Sequence, residues 1–180
     1  MKRILIAATA LACFATACTS TSTTGTTSDS TGGKTGPKMT DMTTINKQIA
    51  LAASEAVGSH DPNAVFKDVT PDYIEYADGS SPPVKGADSA KVYFQTFLTA
   101  FPDLKGENLT AIAEGNQVAV FGEWSGTFKG ELMGMKPTGK SFKFKDVDLY
   151  TFNDEGKITE HRSVQSMATI LSQVGATMKK

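Results

Sequence analysis

The chain has 180 residues, of which 39% are hydrophobic and 21% are charged, and a domain of this length can bury its own core. Its 18 Lys and Arg nearly balance 19 Asp and Glu, so the composition gives no support for a nucleic-acid-binding surface. The only cysteines, Cys13 and Cys18, lie near the N-terminus, which excludes a disulfide framework in the rest of the chain.

The N-terminal 17 residues have the pattern of a secretory signal peptide. Lys2 and Arg3 precede an apolar run that is too short to span a membrane and that ends in small residues. Cys18 follows directly, as in bacterial lipoproteins, so we predict an exported protein anchored to a membrane of the cell envelope by a lipid on Cys18. The alternative is a soluble periplasmic or secreted protein. Residues 18–40 are rich in Ser, Thr and Gly and are predicted to be a disordered tether before a domain at residues 41–180.

The domain is predicted to begin with helices. Apolar residues recur at helical spacing over residues 41–57, and Asp61 with Pro62 is typical of the start of a short second helix. The segment "DYIEYA" predicts a strand, and a third helix over residues 87–101 is ended by Pro102.

After Lys105 the chain is predicted to form two hairpins, with turns at residues 114–116 and 153–156, and a short helix that ends near Gly175. Trp124 and Phe128 share one face of a strand and are large enough to need burial. Helices followed mostly by strands predict an α+β domain, in which a strongly curved antiparallel sheet wraps the helices and can leave a cavity at its mouth.

The first strand of the second hairpin carries the strongest indication of a site. Strict alternation gives one face the side chains of Phe142, Phe144, Asp146, Asp148, Tyr150 and Phe152, and gives the opposite, convex face Val147 and Leu149. Two carboxylates among aromatic rings favour the wall of a partly wet pocket over a plain core. Asp148 is either a catalytic base or a hydrogen-bonded structural carboxylate, and Asp146 lies either beside it or at the rim.

The last strand is oriented by its apolar residues, Ile158 and Val164. Their parity predicts that Glu160 and Arg162 face the pocket and that His161 faces the convex side. Arg162 then binds a ligand carboxylate or pairs with Asp148 or Glu160. The two histidines are far apart in the sequence, so no metal site is predicted.

Several phrases occur together in a characteristic order: "FPDLKGENL", "AEGNQVAV", "SGTFKGELMGMKPTGK", "FKDVDLYTF" and "GKITEH". They resemble the SnoaL-like polyketide cyclases, or ester cyclases, of the nuclear transport factor two-like superfamily, over residues 45–175. The resemblance implies a conical α+β barrel that is often a dimer. It also implies ring closure by aldol condensation without a metal or an organic cofactor.

The chain departs from this family at its acid/base residues. Phe128 stands where the family has His in "GTHxG", Arg162 replaces a Trp, and Ser166 replaces an Asp. We therefore expect a protein that binds a small, largely apolar carbonyl compound in the cavity. The predicted lining residues are Trp124, Phe128, Phe144, Asp146, Tyr150, Glu160 and Arg162. The alternatives are an active cyclase or isomerase that uses Asp148, and a non-catalytic envelope domain that dimerises through Val147 and Leu149.

Overall fold

A computed structural model describes residues 39–177 of the chain. The predicted signal peptide, Cys18 and all but the end of the predicted tether lie outside these residues. No helix within 39–177 is long and apolar enough to cross a membrane.

Within residues 39–177, four α-helices form where the sequence predicts them: α1 (Met39–Ala56), α2 (Pro62–Val65), α3 (Ala87–Ala100) and α4 (Met167–Val174). Side-chain caps fix the starts of two of them, since Asp61 accepts a hydrogen bond from Asn63 N at 2.9 Å and Ser166 accepts one from Ala168 N at 3.1 Å. Gly175 ends α4 in the left-handed conformation, at a φ of 67°.

Six strands form one mixed sheet: β1 (Val69–Glu75), β2 (Val84–Lys85), β3 (Lys105–Glu114), β4 (Gln117–Thr127), β5 (Ser141–Phe152) and β6 (Ile158–Ser163). Their order across the sheet is β2-β1-β6-β5-β4-β3. All neighbours are antiparallel except β1 and β6, which run parallel. The predicted α+β class with a curved sheet around the helices is confirmed.

The buried residues lie between the helices and one face of the sheet. Phe101, Phe128 and Phe142 are almost fully buried at one end, and Phe101 contacts the other two rings at centroid distances of 5.4 and 5.2 Å. Tyr73, Val120, Phe152 and Ile158 belong to a second cluster of buried residues. Phe128 is therefore part of the packed core.

The alternation predicted for β5 is confirmed. Phe142, Asp146, Asp148 and Phe152 are buried, whereas Leu149, on the opposite face, is 37% exposed. In the antiparallel pair with β4, Trp124 lies opposite Phe144 and Val120 lies opposite Asp148, so their side chains point to the same concave side.

The orientation predicted for β6 is wrong. Ile158 is buried as expected, but a register shift separates its pairing with Phe152 from the pairing of Thr151 with Glu160. Such a bulge reverses the parity of the residues that follow, so His161 lies opposite Tyr150 on the concave side. Glu160 and Arg162 consequently point to the convex side.

Candidate active site

A cavity of about 240 Å³ opens between the concave face of the sheet and the helices. Helix α3 provides apolar rings from one side, and β4 and β5 provide Trp124 and Phe144 from the other. Most of the wall is apolar, and its polar groups lie mainly on β1, on the loop that follows β1, and on β5 and β6. The cavity therefore has the usual character of a small-molecule site, an apolar surface with a few placed polar groups.

Three ionisable side chains meet on this wall through adjacent strands. Glu75 of β1 lies opposite His161 of β6 in the parallel register, and Asp148 comes from the next strand. His161 Nδ1 lies 2.9 Å from Glu75 Oε2, and His161 Nε2 lies 3.3 Å from Asp148 Oδ1. The imidazole is thus held between two carboxylates, with one ring nitrogen directed at each.

The two carboxylates keep His161 charged. Burial by itself lowers the pKa of His161, but the charge of Glu75 and the hydrogen bonds to Asp148 and Glu75 outweigh burial and raise that pKa to about 10. Burial acts in the opposite sense on Glu75, yet the charge of His161 and the hydrogen bonds from His161, Tyr73 and Ala77 lower the pKa of Glu75 overall. Near neutral pH the pair is an imidazolium and a carboxylate.

Asp148 is the only member of the three with an unused acceptor in the described part of the chain. Its Oδ1 faces His161, whereas its Oδ2 is buried and has no hydrogen-bond partner among residues 39–177. The residue is 7% exposed and lines the cavity. A buried carboxylate oxygen without a partner is energetically costly, which is typical of a group that meets a ligand.

Asp146 lies on the same face as Asp148, but its carboxylate is fully engaged in hydrogen bonds within the protein. Its carboxylate accepts hydrogen bonds from the backbone N–H of Val147 at 2.6 Å and of Gln165 at 2.8 Å, and from the hydroxyl of Ser163. Burial, supported by the charge of Asp148, raises the pKa of Asp146. Through these hydrogen bonds Asp146 joins β5 to the segment that follows β6. It also borders the cavity.

Two tyrosines complete the polar part of the wall. The hydroxyl of Tyr73 donates to Glu75 Oε2 at 2.8 Å, and the hydroxyl of Tyr150 lies 2.9 Å from Ser54 Oγ of α1. The Tyr150 ring also packs on His161, with ring centroids 4.8 Å apart. Burial raises the pKa of both phenols, so both hydroxyls remain protonated.

The structure brings together some of the residues predicted for the site and separates others. Trp124, Phe144, Asp146, Asp148 and Tyr150 line the cavity. Phe128 is 0% exposed within the core cluster, and Glu160 and Arg162 point away from the cavity because of the bulge in β6.

The pairing of Arg162 with Asp148 or Glu160 is replaced by a different contact. The Arg162 guanidinium stacks on the Tyr76 ring at 4.5 Å from its centroid, and it forms no ion pair within the described residues. Asp148 takes His161 as its ionic neighbour instead.

Sequence reasoning missed Glu75, Tyr73, Ser54 and the inward position of His161. The alternation in "DYIEYA" already put Tyr73 and Glu75 on one face of a strand, but the sequence does not show which strand lies beside it. No group of three or more His, Cys, Asp or Glu side chains within residues 39–177 is arranged to hold a metal ion.

The sequence matches the model of one protein family, described as SnoaL-like polyketide cyclase, over residues 47–174. The match covers the helices and strands that surround the cavity. A comparison with curated proteins found no match.

Among solved structures, AclR from Streptomyces galilaeus, whose proposed activity is that of a hydroxylase, is 31% identical. The match covers 76% of this chain and 89% of AclR, with a TM-score of 0.62. A proposed SnoaL-like polyketide cyclase from a Jannaschia species is 23% identical. The match covers 79% of this chain and 100% of that protein, with a TM-score of 0.67. IdmH from Streptomyces antibioticus, a proposed polyketide cyclase, is 24% identical. The match covers 73% of this chain and 99% of IdmH, with a TM-score of 0.60. The last two show likeness of fold alone.

Proposed function

Because the chain belongs to the SnoaL-like polyketide cyclase family, we propose that it binds a small, largely apolar carbonyl compound and acts on it as a cofactor-independent acid–base enzyme of the cyclase or isomerase type. One observation carries the proposal: Asp148 lines a largely apolar cavity and has a buried carboxylate oxygen without a hydrogen-bond partner among residues 39–177. A base positioned in this way can accept a proton from a carbon next to a carbonyl group.

In the proposed reaction, the substrate C–H proton moves to Asp148 Oδ2 and an enolate forms. In a cyclisation the enolate carbon then attacks a second carbonyl of the same molecule, and Asp148 returns the proton to the new alkoxide. His161 Nε2 lies 3.3 Å from Asp148 Oδ1, so Oδ2 is the oxygen left to take the proton. The protonated imidazole also lowers the energy of negative charge that develops close to it.

This proposal accounts for the substitutions relative to the family. The position of the family His is taken by Phe128, which packs in the core, and the ionised histidine of this chain comes from β6 instead. Glu75 supplies the carboxylate that orients it. The acid–base set is therefore rearranged around Asp148.

The second candidate function is a binding module without chemistry. His161 already engages Glu75 and Asp148 as ionic partners, and this contact supports a cavity that holds a ligand without converting it. Hydroxylation, the activity proposed for AclR, is a further alternative that requires an oxidant in addition to these residues.

Deuterium exchange separates proton transfer from simple binding. The α-protons of 2-tetralone, an apolar ketone, are followed by NMR in D₂O with wild-type protein and with the Asp148→Asn variant. We expect exchange above the buffer rate with the wild type, a reduction of about a hundredfold or more in the variant, and similar binding of the ketone by both proteins. Binding without any accelerated exchange in the wild type favours the binding module.

The proposal also includes the location and the assembly of the protein. Export and a lipid on Cys18 rest on the N-terminal sequence. Dimerisation through the convex face is supported by its exposed apolar side chains, since Phe121 is 40% and Leu149 37% exposed, and Ile112 and Val164 are each 63% exposed. Exposed apolar side chains on one face of a sheet favour an interaction surface there.

A further inference from the structure

The charged groups that line the cavity are strongly unbalanced. Four of its lining residues are acids, namely Glu75, Asp78, Asp146 and Asp148, and His161 is the only basic one. Within residues 39–177 no Lys or Arg lines this cavity, and Arg162 stacks on the Tyr76 ring instead. His161 is shared between two carboxylates, so it compensates at most one of them.

The excess negative charge is not fully compensated by the surrounding protein. Asp78, near the α4 end of the cavity, accepts hydrogen bonds from Ser80 and from Met167 N but forms no ion pair within residues 39–177. Asp148 Oδ2 is buried and lacks even a hydrogen-bond donor within the described part of the chain. Even without Asp146, three acidic residues, Glu75, Asp78 and Asp148, line the cavity against one histidine.

The rest of the wall suits a positive group. Five aromatic residues line the same cavity: Tyr93, Phe94, Phe97, Trp124 and Phe144. Aromatic faces attract cations through the ring quadrupole, and they do so most strongly where water is excluded. An uncharged ligand gains only the apolar contact with these rings, and an anion is repelled by the carboxylates.

We propose that this cavity selects organic cations: its ligand carries a protonated or quaternary amine on an apolar frame, and the amine lies against the aromatic wall in the field of Asp78 and Asp148. The inference rests on the proposed function only in placing the ligand in this cavity. It names the charge class of the compound, and it holds whether or not Asp148 transfers a proton.

Two isosteric probes isolate the charge. Phenyltrimethylammonium and tert-butylbenzene have the same shape and differ by a nitrogen cation in place of a carbon, and benzoate supplies the opposite charge. Binding of each probe to the full-length protein is measured by NMR titration at pH 7 and low salt. We expect the cation to bind at least about tenfold more tightly than tert-butylbenzene, and benzoate to show no competition with it.

Variants test whether the carboxylates cause the preference. Asp148→Asn and Asp78→Asn are each expected to reduce the ratio of the two dissociation constants by about threefold or more. Glu155→Gln, which removes an exposed carboxylate in the turn between β5 and β6, is the matched control and should leave the ratio unchanged.

Equal or tighter binding of tert-butylbenzene, failure of the cation to bind at millimolar concentration, competition by benzoate, or a ratio unchanged in both cavity variants would each overturn the inference. Cation selectivity without accelerated α-proton exchange refutes the proposed enzyme and leaves this inference standing. Accelerated α-proton exchange without cation selectivity overturns this inference and leaves the proposed enzyme standing.

Discussion

The ionised state of His161 can be tested by removing the carboxylate that supports it. Glu75 lies within hydrogen-bond distance of His161 Nδ1, at 2.9 and 3.0 Å from its two oxygens. An opposite charge at this range shifts a pKa by about 1 to 3 units. We therefore expect Glu75→Gln to lower the pKa of His161 by that amount from its wild-type value of about 10.

The measurement is an NMR titration of the histidine ring protons. The chain has only two histidines, so a His60→Gln variant assigns the two signals. Tyr73→Phe is the matched control, because it removes a hydroxyl that donates to Glu75 but leaves the carboxylate charge in place. A wild-type His161 that titrates near 6.5, or a Glu75→Gln variant with an unchanged pKa, would refute the electrostatic account of the site.

The raised pKa also fixes how stability depends on pH. His161 has a higher pKa in the folded state than the ordinary value of 6.5, so its contribution to the free energy of unfolding is fully present below about pH 6.5 and is lost as the pH rises through about 10. One pKa unit corresponds to about 1.4 kcal/mol, so the shift that Glu75 causes amounts to roughly 1.4 to 4 kcal/mol. Denaturant unfolding between pH 6 and 10 should show a decline in the wild type that is smaller in Glu75→Gln.

Three further predictions follow from the sequence and the fold. Globomycin should cause an unprocessed precursor to accumulate and Cys18→Ala should release the protein from the membrane fraction, whereas a soluble wild type that is insensitive to globomycin contradicts lipidation. Leu149→Asp should shift a dimer towards monomer in sedimentation, and a wild type that is monomeric at tens of micromolar argues against an interface of standard size. A double-mutant cycle on Asp148 and Arg162, measured by denaturant unfolding, should give a coupling energy below about 0.5 kcal/mol, because the two side chains point to opposite sides of the sheet. A coupling energy of several kcal/mol would contradict the register of β6.

Local sequence patterns predicted most of the fold. The period of two in β5, the caps at Asp61 and Gly175, and the two hairpin turns all depend on residues close together in the chain, and the structure has each of them. For the same reason Asp146, Asp148, Tyr150 and Trp124 could be assigned to the concave face before any strand order was known. The ligand-binding roles assigned to them stay predictions.

Only the tertiary structure decided which side chains meet on the concave face. The bulge in β6 reverses the parity of the strand after Ile158, and one extra residue is enough to move His161 inward and Arg162 outward. Glu75 reaches His161 because β1 pairs with β6 in parallel across 86 residues of sequence, and no local pattern encodes that pairing. The sequence by itself determined which residues share a face, because side-chain alternation is a local property of the backbone. The charged pair of Glu75 and His161 depends instead on how distant strands are ordered and shifted in the sheet.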